Sequence, residues 1–119
     1  MVGGNMANQL LPQAMIERVA RRFKVLSEPV RLHLLNLLQL HQEMSVQEIV
    51  EATGLRQANV SKHLNLMARE GILKRRKEGL NVFYSINDPS IQGLCLLVCS
   101  RIREETATEH ELLNRSAES

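Results

Sequence analysis

The sequence has no tryptophan, one tyrosine and two phenylalanines among its 119 residues. A core built with so few rings must be aliphatic. Leucine dominates here, which suits packed helices better than sheet. A chain this short and this poor in aromatics gains much from sharing its core with a second copy. No apolar run reaches the roughly 18 residues that span a bilayer. The opening MVGGNMANQLLPQ carries neither a charged n-region nor an apolar h-region, so no signal peptide is expected. These absences predict a cytoplasmic protein with no membrane partner. Its two cysteines, Cys95 and Cys99, are then reduced by default.

The marks of an enzyme are also missing. There is no Ser/His/Asp order, no phosphate loop and no cluster of carboxylates with workable geometry, so no enzymatic activity is expected. The four histidines, His33, His41, His63 and His110, form no close pair with another ligand-type residue.

What is present is an ordinary apolar fraction of 44 % and an uneven distribution of charge. The formal net charge is only +2. Between Arg56 and Tyr84, however, seven Lys or Arg face two acids, a local +5 that leaves −3 elsewhere. Positive charge concentrated in this way is the electrostatic footprint of a polyanion partner. A merely solvated basic face is the bland alternative.

Periodicity predicts five helices and a hairpin. Pro12 suits a first turn, and Met15, Ile16, Val19, Phe23 and Leu26 follow at helical spacing. Ser27, Glu28 and Pro29 break that helix and open a second. Its leucines, from Leu32 to Leu40, are too many for one face, so it is expected to be buried nearly all round. Ser45 and Glu48 form a capping box for a third helix, which Gly54 ends. A fourth runs from about Arg56 to Glu70, with Val60, Leu64 and Met67 inward and Gly71 beyond its end. Leu73–Lys77 and Val82–Ile86 read as strands joined by Glu78, Gly79, Leu80 and Asn81. Asp88 and Pro89 then start a fifth helix, with Ile91, Leu94, Cys95, Val98, Cys99 and Ile102 on one side. Residues 1–11 are expected to be a flexible arm, 12–108 one domain, and 109–119 a flexible polar tail.

Two helices joined by a short glycine turn and followed by a basic hairpin form a winged helix-turn-helix. The fourth helix offers Arg56, Gln57 and Asn59, side chains suited to base edges. Ser61 and Lys62 suit phosphates, as do Arg76 and Lys77 near the hairpin tip. Ser45 could bring a phosphate to the free N–H groups at the start of the third helix. Strand alternation puts Lys74 and Arg76 on one side and Arg75 and Lys77 on the other, so a single groove meets only one pair. A winged helix that binds proteins rather than DNA is the competing reading.

Four segments carry a resemblance to a known family: LSEPVR (26–31), QANVSKHL (57–64), REGIL (69–73) and GLNVFY (79–84). Over roughly residues 14–105 the chain resembles the ArsR/SmtB family of winged-helix repressors. The resemblance implies a mainly α fold with one small β-hairpin, in the order α1-α2-α3-α4-β-β-α5. It also implies a homodimer through the first and fifth helices, an inverted-repeat operator, and release of DNA on binding a small effector. The family's sensing ligands are not intact here. Met44, Val46 and Gln47 stand where third-helix thiolates would be. Asp88 is present on the fifth helix, but Ser90 and Arg101 stand near the imidazole positions, and Glu104 is a poor remnant.

That leaves Cys95 and Cys99, four apart and on one helical face. Soft thiolates suit As(III) or another soft metal ion. They could instead be oxidised or react with sulfur species, with no bound cofactor required. Cysteine is equally a small buried apolar residue, inert among apolar neighbours such as Leu94, Leu96 and Leu97. Both readings stand on sequence grounds.

Overall fold

A computed structural model describes residues 11–118. The expected arm over residues 1–11 lies outside the described residues, apart from Leu11. The elements are α1 (Gln13–Leu26), α2 (Pro29–His41), β1 (Glu43–Ser45), α3 (Val46–Thr53), α4 (Gln57–Arg69), β2 (Leu73–Glu78), β3 (Asn81–Ile86) and α5 (Ser90–Glu118). The chain divides after Asn87 into two compact units, the second of which is α5 with its lead-in.

Local signals explain most boundaries. Pro29 occupies the first turn of α2. In the capping box of α3 the Ser45 hydroxyl accepts from Glu48 N–H at 3.1 Å, and the Glu48 carboxylate accepts from Ser45 N–H at 2.9 Å. Helix α4 ends in a Schellman motif: Ile72 N–H donates to Met67 C=O at 2.9 Å and Gly71 N–H to Ala68 C=O at 3.1 Å. Gly71 sits at φ +80, where a side chain would be strained. Strands β2 and β3 pair directly through a two-residue turn with Gly79 at φ +60, so each strand is one residue longer than its periodicity indicates. Positive φ at the first turn residue alone is the type II′ pattern.

The first unit closes over an aliphatic core. Leu34, Leu35, Leu38, Ile49, Val60, Leu64, Met67 and Ile72 are all within 1 % of full burial. Tyr84, the one tyrosine, is buried beside them, and its hydroxyl donates to Asn65 Oδ1 of α4 at 2.6 Å.

Three expectations change. First, α2 is not buried all round: Leu34, Leu35 and Leu38 face the core, while Leu32 and Leu40 are exposed. The helix packs on one side only, and its surplus leucines lie on the open side. Second, the sheet has three strands, in the order β1-β3-β2. Strand β1 is too short to show a pattern; it exists because Glu43, Met44 and Ser45 pair with Ser85, Tyr84 and Phe83. Third, α5 does not end near residue 108 but stays helical to Glu118. Ion pairs one turn apart support its polar end, Arg101–Glu105 at 3.3 Å and Arg115–Glu111 at 2.9 Å. At the other end, the Asp88 carboxylate accepts from Ser90 N–H at 3.0 Å, the capping role its sequence position indicates.

Candidate nucleic-acid interface

Helices α3 and α4 meet through Gly54, Leu55 and Arg56. Gly54 adopts φ +71, and its N–H donates to Val50 C=O at 2.8 Å. The Thr53 hydroxyl donates to Ile49 C=O and accepts from Leu55 N–H, which stiffens the bend. Half-buried Leu55 anchors it. Arg56 is the extended N-cap of α4, and its side chain makes no capping bond. The guanidinium is therefore exposed at the start of the helix.

With Val60, Leu64 and Met67 turned inward, Ala58, Lys62, Asn65 and Arg69 form the outer ridge of α4. Arg56, Gln57, Asn59 and Lys62 are exposed, and Ser61 is half-buried. Gln57 and Ser61, one turn apart, line a groove with Val46, Gln47 and the hairpin tip Leu80–Val82. The fold thus brings the start of the second helix and the tip of the hairpin onto one surface, although Gln57 and Leu80 lie 23 positions apart in the chain.

Register settles which hairpin cations face this surface. Arg75 pairs with Tyr84, and the bond from Tyr84 to Asn65 puts that sheet face against α4. Lys77 shares that face by alternation. Arg76 points the other way. It pairs with Glu43 at 2.8 Å and Glu78 at 2.6 Å, and lies 4.5 Å from the centroid of the Phe83 ring. Hydrogen bonds from Arg76 hold the Glu43 carboxyl below its usual range, and Arg76 is in turn held protonated by Glu43 and Glu78. Of the two tip cations expected to hold phosphates, Arg76 is thus ion-paired at the surface, with 46 % of its side chain exposed. Ser45 is 7 % exposed and its hydroxyl serves the cap.

Asn65 and Arg69, three and seven positions beyond Lys62 on the outer ridge, were not among the residues expected from the sequence to touch DNA, and Arg75 entered only as the partner of Lys77 in the strand alternation. The thiols lie on α5, with Cys95 half-buried and Cys99 exposed. Among the described residues no three His, Cys, Asp or Glu side chains could together hold a metal ion. No helix among them is long and apolar enough to cross a membrane.

A glycine-turned helix pair whose second helix lies beside a basic hairpin defines the winged helix-turn-helix class of DNA-binding regulators. Residues 28–75 match the family described as "Bacterial regulatory protein, arsR family". The transcriptional repressor PagR of Bacillus anthracis is 37 % identical over 83 residues, covering 70 % of this chain and 83 % of PagR. The crystal structure of the antimony-specific transcriptional repressor AntR superposes with a TM-score of 0.75 at 31 % identity, covering 82 % of this chain and 88 % of AntR. The homodimeric winged helix-turn-helix domain of Mb0332 from Mycobacterium bovis superposes with a TM-score of 0.68 at 30 % identity, covering 80 % of this chain and 92 % of that one. The chain belongs to the arsR family of bacterial regulatory proteins, and is a transcriptional repressor of the ArsR/SmtB type.

Proposed function

We propose that two copies of this chain bind an inverted-repeat operator and release it when the thiols of Cys95 and Cys99 are modified. The observation that carries DNA reading is the shared surface of the α4 start and the hairpin tip. There Arg56, Gln57 and Asn59 offer the donors and acceptors that match base edges. Ser61, Lys62 and Lys77 hold the backbone. Arg76 and Ser45 act from within, one bracing the wing and the other capping α3.

Dimerisation is supported by exposed apolar side chains on two helices. Met15, Ile16, Val19 and Phe23 are exposed along one face of α1, and Val98 and Ile102 along one face of α5, with Leu96 and Leu97 exposed elsewhere on that helix. Apolar surface of this extent in a small protein marks a partner site, and Mb0332 is a homodimer.

For the effector, Cys95 and Cys99 share the α5 face that carries Val98 and Ile102, so a modified thiol there would act on the contact between the two copies. Two thiolates make half a soft-metal site, so As(III) or a soft ion would need ligands from a second copy. Oxidation or persulfide chemistry needs none, and AntR, an antimony-specific relative, keeps the metalloid reading in play.

The test is footprinting on the DNA upstream of the protein's own coding sequence, with and without thiol oxidant, As(III), Cd(II) and Zn(II). Protection of an inverted repeat, lost with one thiol-directed agent, is the expected result. A Cys95→Ser/Cys99→Ser double variant should protect the same sites and respond to nothing; full inducibility in that variant would sink the thiol reading. Duplex affinity that stays flat as salt rises would instead support a protein-binding winged helix.

A further inference from the structure

We propose that the cleft between α4 and β2, lined by Lys62, Asn65, Arg69 and Arg75, cradles a backbone phosphate of bound DNA. The proposal rests on the operator-binding reading and adds residues to it. Lys62, Asn65 and Arg69 stand on the outer ridge of α4, and Arg75 approaches from the strand, so the four converge on one open cleft. Among the described residues no carboxylate pairs with Lys62, Arg69 or Arg75. That distinguishes Arg75 from its neighbour Arg76, which two glutamates neutralise.

Three cations facing one cleft repel one another, and a counter-anion between them removes that cost. The Tyr84 hydroxyl occupies Asn65 Oδ1 and so leaves the amide Nδ2 to donate. Donors and positive charge are thus both aimed into the cleft, with two guanidiniums able to fork onto phosphate oxygens.

The anion is identified by where the cleft lies. A recognition helix enters the major groove. The hairpin beside it must then reach across the neighbouring strand. The backbone that separates the two grooves passes between helix and hairpin, where this cleft is. A phosphodiester is the anion that passes there at every site, whatever the sequence.

Salt titration tests this. Affinity is measured by fluorescence anisotropy on the upstream DNA and on a mixed-sequence duplex, for wild type, Arg69→Gln, Arg75→Gln and Lys74→Gln. Lys74 carries the same charge on the same strand but on the opposite face. Each of the first two variants should flatten the slope of log affinity against log salt, by at most about 0.9, the release of the one phosphate that the cations share. Between about 50 and about 200 mM salt, each then loses up to roughly 3.5-fold less affinity than wild type does. The effect should be equal on both duplexes, and Lys74→Gln should leave the slope unchanged. Thermal melts confirm that each variant is folded. Wild-type slopes in Arg69→Gln and Arg75→Gln, or an equal flattening in Lys74→Gln, would overturn the cradle while leaving operator binding intact. A wild-type protein that binds no duplex would overturn both.

Discussion

The same substitution should have opposite effects at two glycines. At Gly54, the bend between α3 and α4, an added Cβ meets nothing within 4 Å. The cost of Gly54→Ala therefore lies entirely in the backbone, held at φ +71. An L-residue there costs about 1–2 kcal/mol. Lower entropy of the unfolded chain offsets about 0.4–1 kcal/mol of this. A net loss of about 1 kcal/mol remains, or about 5 °C in melting temperature. Gly93 also has open space at its Cβ, but it lies inside α5 at an ordinary helical φ. There alanine removes a helix penalty, and Gly93→Ala should stabilise by about 1 kcal/mol. Urea unfolding at one fixed protomer concentration measures both, because dimerisation makes apparent stability depend on concentration. Gly54→Asn is the internal control, since asparagine tolerates the left-handed region and should lose less than alanine. Equal losses for Ala and Asn at Gly54, or no loss, would refute the backbone account. A destabilising Gly93→Ala would refute the open surroundings of that part of α5.

Ser45→Ala should cost about 1 kcal/mol by removing the α3 cap, while leaving the salt slope of DNA binding unchanged. A flattened slope would restore Ser45 as a phosphate contact. Arg76→Gln should loosen the wing, seen as faster amide exchange in β2, also without a change in slope; a slope reduced by one phosphate would refute its internal role. His63 is the shifted group whose ordinary value lies nearest neutral pH. Desolvation, with the nearby Arg31 charge adding to it, lowers its pKa from 6.5, so the unfolded chain binds its proton more readily than the folded one. Its contribution is complete above 6.5 and should fall as pH drops through 6.5 towards the lowered folded value. His63→Gln should remove that part of the acid sensitivity of the melting temperature; an unchanged pH profile would refute it.

Much of the fold was readable because its signals are local. Capping boxes, glycines past helix ends, and three- and four-residue apolar spacing all act within a turn or two of chain. The Ser45–Glu48 box, the ends of α3 and α4, the Val60-Leu64-Met67 stripe and the hairpin all follow from such signals. So does the exposure of Arg56, Gln57 and Asn59, since polar side chains at a helix start have nothing local to bury them. Strand β1 was not readable, because three residues carry no period and their pairing partner lies some 40 positions on. The helical end of α5 was hidden because polar composition looks alike in a helix with ion pairs one turn apart and in a frayed tail.

The hairpin shows where the two kinds of information part. By itself the sequence determined that a basic wing follows a helix-turn-helix, and that Arg75 and Arg76 must point to opposite faces. That follows from the two-residue period of any strand. It could not say which face meets α4, because alternation is symmetric until something breaks it. Tertiary structure breaks it through the Tyr84–Asn65 bond on one face and Glu43, from strand β1, on the other. Only then is Arg76 neutralised and Arg75 left among Lys62, Asn65 and Arg69, where the charge seen in the sequence becomes a cleft.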